Sequence, residues 1–112
     1  MSEVKMLEAQ LMQAKATVKF SETILKLMKN KEFEEVILEQ FMVKSCAEYV
    51  QRSVNPQLDE SQQANALRFA QASGVLQQWL DTHLVEAERL RRAIPQIEEA
   101  IVEARQEADS DE

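Results

Sequence analysis

The chain has 112 residues, 13 Lys and Arg against 20 Asp and Glu, a net charge of -7, and a single cysteine, histidine and glycine. That is one domain's worth of sequence, and its 45% apolar content sets it apart from a disordered acidic tail, while the excess of acid argues against generic nucleic-acid binding, which needs a basic surface. One Cys and one His exclude an internal disulfide and a Cys/His zinc site, the charged start MSEVKMLEAQ does not read as a signal peptide, so none is expected, and no run approaches the roughly 18 apolar residues of a membrane span.

One glycine and two prolines leave almost no turn chemistry, so the chain reads as helices. The first is predicted over residues 3–29. There Val4, Leu11, Val18 and Leu25 recur every seven residues, with Leu7, Ala14, Ser21 and Met28 at the second seam position. The polar corner Lys29-Asn30-Lys31 ends it, and Asn30 is a candidate N-cap for the next helix.

The middle helix is predicted over residues 31–54. At 100° per residue, Leu38, Met42, Cys46 and Tyr49, with Val36, Val43, Ala47, Val50 and Val54, cover one broad face. Phe33, Ile37 and Phe41 fall nearly opposite, as a second stripe. A helix apolar on two sides is either central in a bundle or waiting for a partner, which makes Phe33, Ile37 and Phe41 partner-binding candidates.

The segment Val54-Asn55-Pro56-Gln57-Leu58-Asp59 is a break, because Pro56 has no N–H and pushes Asn55 away from helical backbone angles. Asp59 then reads as an N-cap with Gln62 as its capping-box partner.

The last helix is predicted over residues 60–106, with Phe69, Leu76, His83, Leu90, Ile97 and Ala104 alternating with Ser73, Leu80, Ala87, Ile94, Ile101 and Ala108 along one seam. Pro95 removes one helical hydrogen bond and crowds the carbonyl of Arg91, yet the heptads run through it, so a kink is expected there. Gly74 costs about 1 kcal/mol in mid-helix relative to Ala, and its expected use is close approach of another backbone, where the middle helix crosses. Residues 109–112 carry like charges and no apolar side chain, and are expected to fray.

The fold expected is all-α: a single helical domain over residues 1–108, with three helices forming a bundle or helical hairpin whose long antiparallel helices pair like a coiled coil. Val4 to Met28 and His83 to Ala108 span roughly 36 and 38 Å, so the outer seams match in length. Heptads alone leave open whether they pair within one chain or between two. Residues 1–31 hold six Lys and three acids, whereas residues 32–60 and 61–112 are each acidic, which favours packing of the first helix against the others.

Chemistry is sparse. Cys46 lies on an apolar helix face and reads as a structural thiol, and His83 at a seam position reads as a register-setting core or rim residue rather than a general base. No Glu-x-x-His repeat accompanies the acids, so no metal site, cofactor or catalytic residue is expected. The Arg89, Arg91, Arg92 cluster has Glu86 and Glu88 beside it for local pairing. Trp79, near Phe69, Leu76 and Leu80, reads as core or core rim, and Trp is also a frequent interface anchor, which adds it to the partner-binding candidates.

Residues 30–80 carry an Asn-x-x-Phe helix start at Asn30 and Phe33, an apolar stretch ending at Tyr49 and Val50, and the Asn55-Pro56 loop. Beyond the loop come the glutamines Gln62 and Gln63 and the segment Ser73, Gly74, Val75, Leu76, Trp79, Leu80. This succession resembles a group of small helical proteins encoded among the structural genes of tailed bacteriophages, and it covers just under half of the chain. The resemblance implies a phage setting, with a role in head assembly or as a minor virion protein, placed in the host cytoplasm or the virion. The group carries no established catalytic residue. The function expected is non-enzymatic protein–protein interaction, with a second copy or another phage structural protein as partner and no small molecule or membrane. The alternative is a small acidic inhibitor or regulator of a host protein, acting as an adaptor or nucleic-acid mimic.

Overall fold

The computed structural model describes residues 2–110, and every element among them is helical. The first helix runs Glu3–Met28, and the last runs Glu60–Ser110 with Pro95 inside it. Between them a continuous helical stretch over residues 31–53 opens with the short turn Lys31–Phe33, becomes a π-helix over Glu34–Ser45, and ends as an α-helix over Cys46–Ser53. The last helix takes in Asp109 and Ser110, the first two positions of the expected tail, and positions 111 and 112 lie outside the described residues.

The breaks follow from local hydrogen bonding. Asn30 accepts the N–H of Phe33 through Oδ1 at 2.9 Å, capping the middle helix. At the next loop the Asn55 side chain accepts from the Gln57 N–H at 3.0 Å, and its carbonyl accepts from Gln63 Nε2 at 2.7 Å. Asp59 and Gln62 then form a reciprocal capping box, with Gln62 N–H to Asp59 Oδ1 at 2.8 Å and Asp59 N–H to Gln62 Oε1 at 3.1 Å.

The residues divide into two compact units. One is formed by the described residues up to Ile24 together with those from Thr82 onward. Its two helical segments run antiparallel: Glu8 pairs with Arg105 at 2.6 Å, Ser21 Oγ accepts from Arg91 Nη2 at 3.3 Å, and the Phe20 and His83 rings meet edge to face at 5.2 Å. The core is Ala14, Ile97 and Ile101, with Leu7, Leu11, Leu90, Ala93 and Ile94 packed against it. Small side chains hold the tightest places, since Ala87 is wholly enclosed and Ser21 is 1% exposed. Ser21 is satisfied there by donating to the Val18 carbonyl at 2.6 Å as well as accepting from Arg91. The seam is narrower than the heptads suggest. Ala108, beyond the Glu8–Arg105 tie, is exposed. Ile24 is buried in place of Leu25, which belongs to the other unit and is exposed, because a heptad register holds only along one pair of helices.

The other unit, Leu25–Asp81, closes as a hairpin. Ser73 Oγ donates to the Phe41 carbonyl at 3.5 Å, Cys46 Sγ to the Ala70 carbonyl at 3.6 Å, and the Tyr49 and Phe69 rings stack at 5.1 Å, so the partner number falls as the chain advances. Its buried residues are Ala66, Ala70, Ser73 and Leu80. Phe69, expected in the seam, is 45% exposed and its neighbour Ala70 is buried instead, because the methyl-sized side chain is what fits beneath the middle helix while the ring lies at the edge against Tyr49.

The middle helix does not have the two opposite faces read from its sequence. Phe33, Ile37 and Phe41 are half-buried, and so are Leu38, Met42, Cys46 and Tyr49, whereas Val36, Val43, Ala47, Val50 and Val54 are exposed. The cause is the winding. In a π-helix the N–H of residue i reaches the carbonyl of i−5, as Cys46 N–H does to Phe41, so each residue turns through less than 100°. Positions four and five apart then fall on either side of one line, which merges the Phe33 stripe with Leu38, Met42 and Cys46. Gln40 and Ser45, five apart, are brought close enough to bond at 3.1 Å by the same geometry.

Candidate protein-binding surface

On the last helix, residues 69–80, FAQASGVLQQWL, form the longest run without a charged residue in a chain that is 29% charged. At 100° per residue, Val75 lies opposite the stripe of Ala66, Ala70, Ser73 and Leu80 that is buried within the same unit. Around it the outward side chains of Arg68, Gln71, Ala72, Leu76 and Trp79 line a shallow, mostly apolar hollow, with small Ala72 as its floor. Val75 is 64% and Trp79 50% exposed. On its other flank Gln71, Gly74 and Gln78 border a second shallow depression. A Cβ added at Gly74 would meet nothing within 4 Å, so the close approach of the middle helix expected there is not found: that helix packs on Ala66, Ala70 and Ser73, on the far side.

Of the four candidate contact residues, Phe33, Ile37 and Phe41 come together as half-buried positions along the middle helix, and Trp79 stands half-exposed on the last helix. Sequence alone did not single out Val75, Ala72 and Arg68 beside Trp79. The absence of charge from residues 69–80 was the available signal.

Polar groups are engaged locally. Arg89 bonds Glu86 at 2.5 and 3.0 Å, and this hydrogen bond holds the Glu86 carboxyl below the usual carboxylate range while raising Arg89. Glu88 takes Arg91 at 3.4 Å and Arg92 at 3.6 Å. Cys46, half-buried, and His83, against Phe20, belong to different units, each engaged within its own. Among the described residues no three His, Cys, Asp or Glu side chains gather as a metal site would need, and no helix is long and apolar enough to cross a membrane. Compared with known families, curated proteins and solved structures, the chain matches none.

Proposed function

We propose that the protein is a non-enzymatic protein–protein interaction module that works by self-association as part of a larger assembly, with a second copy or another structural protein as its partner. A bacteriophage particle, as a head-assembly or minor virion component, is the setting that the sequence resemblance suggests. Bundle packing of the three helices and a bend at Pro95 belong to the same reading. The contact candidates are Trp79 and the partly open stripe of Phe33, Ile37 and Phe41.

The observation that carries the reading is the imbalance between buried and exposed apolar residues. Among the described residues, five of the nine buried hydrophobics are alanines, while fifteen large hydrophobics are exposed.

The test is the absolute mass in solution by light scattering on a sizing column, over a hundredfold concentration range, at low salt and at 0.5 M salt. A dimer or higher oligomer that survives 0.5 M salt is the expected result, since apolar contacts are not screened. A monomer throughout, with capture of a host protein that weakens steeply with salt, overturns it in favour of an acidic inhibitor acting through the net charge of -7.

A further inference from the structure

We propose that the middle helix is a two-state element. It is wound as π over Glu34–Ser45, with Phe33, Ile37 and Phe41 drawn in beside Leu38 and Met42, and it is poised to rewind as an ordinary α-helix that turns this stripe outward. The change takes place within one chain and stands apart from self-association.

Nothing local calls for the π form. Residues 34–45 contain no Gly or Pro, and seven of the twelve are Glu, Leu, Gln, Met or Lys, which favour an α-helix. A π winding occurs mostly as a single-turn bulge, so one that runs for twelve residues is sustained by what packs on it.

The packing that selects it is visible on the last helix. The Phe41 carbonyl takes the Ser73 hydroxyl, and the Cys46 thiol reaches the Ala70 carbonyl. Two points five residues apart on the middle helix thus meet two points one turn apart on its neighbour. Five residues of α-helix end about 140° round the axis from where they began, whereas in a π-helix they close a turn, as the bond from the Cys46 N–H to the Phe41 carbonyl does. The same winding gathers both apolar stripes on one side, where the α form leaves one of them in water.

The hold is slight, which makes the element reversible. The two ties are long, at 3.5 and 3.6 Å, and no residue from 31 to 53 is fully buried. Against them stands the α preference of the segment itself. Beyond the π stretch Tyr49 is stacked on Phe69 at 5.1 Å, so the turning falls on the Phe33 end. A gain on the order of 15° per residue adds up over the stretch to about half a turn, which carries Phe33 to the side away from Tyr49. The winding is therefore a gate on the stripe, closed in the π form and open in the α form.

The test reads the hydrogen-bond ladder. In the isotope-labelled full chain, through-bond couplings between amide nitrogen and carbonyl carbon connect Cys46 to Phe41 in the π form and to Met42 in the α form. The native chain should show the Phe41 connection. Phe33→Gln with Ile37→Gln removes the gain from drawing the stripe in while keeping a good helix former at both places. It should show the Met42 connection instead, with helical Cα shifts retained over residues 34–45. The Phe41 ring should become at least twofold more accessible to a soluble paramagnetic relaxation agent. A native chain that connects Cys46 to Met42 overturns the proposal, and so does a variant that keeps the Phe41 connection or loses it without gaining the other. Contact between the Tyr49 and Phe69 rings verifies that the hairpin is intact. If the double variant lacks that contact, Ile37→Gln alone is judged by the same criterion.

Discussion

Among the described residues the buried polar side chains are Ser21 and Ser73, and Ser21, the more enclosed, is kept there by two partners, a carbonyl one turn back in its own helix and the guanidinium of Arg91. Arg91 divides its hydrogen bonds between Ser21 and Glu88, whereas the neighbouring Arg89 is devoted to Glu86. That exclusive pairing has a measurable signature. Replacing Arg89 by Gln should return the Glu86 carboxyl toward its ordinary value, observed by carboxyl nuclear magnetic resonance during a pH titration. Because the folded carboxyl titrates lower than the unfolded one, its stabilising contribution is complete above the unfolded value and disappears as pH falls through the folded one. Both partners are exposed, so the effect is small and fades with added salt. No change in the Glu86 titration in the Arg89→Gln protein would remove the pairing from solution.

Each helix start rests on a side chain that takes over an unsatisfied N–H, and here the sequence was readable. Asn30, Asp59 with Gln62, and the Asn55-Pro56 loop all act through short-range chemistry that depends on residue type and spacing alone. Asp59→Ala should accordingly cost about 1 kcal/mol in urea unfolding, the usual worth of an N-cap. Asp59→Asn, which keeps the acceptor oxygen, should recover most of it. An alanine variant as stable as the native chain would show that the box adds nothing. The winding of the middle helix was not readable. A helical wheel assumes its own pitch, and over Glu34–Ser45 the pitch is different, so Phe33, Ile37 and Phe41 moved from an apparent second face onto the first. Periodicity likewise could not tell an inward Trp79 from an outward one, because the pattern of apolar residues around it is the same for either. What distinguishes them is where Ala66, Ala70, Ser73 and Leu80 turn their shared side, a matter of packing.

Across the whole molecule the heptads picked out the residues buried between the antiparallel segments of the first unit, Ala14, Ile97 and Ile101, although they left open whether those segments pair within one chain or between two. What they could not give was how much apolar surface would be left outside. That depends on how many side chains the small residues exclude from the core, and Ala14, Ala66, Ala70, Ala87 and Ala104 occupy places that larger side chains fill in a thicker fold. The division into two units also has a consequence in time. Cys46 and Ala70 are 24 positions apart, and the hairpin they close can form as soon as both have emerged from a ribosome. Glu8 and Arg105 are 97 apart, so the first helix must wait while most of the chain is made. The local hairpin should therefore gain structure first and the distant pairing second, with hydrogen-exchange protection during refolding appearing in residues 41–73 before residues 7–21. The reverse order would show that the long-range pairing nucleates folding. In the interval the apolar stripe of the first helix is an unpaired segment, open to whatever hydrophobic surface it meets, which makes synthesis the stage at which this protein is most exposed to misassembly.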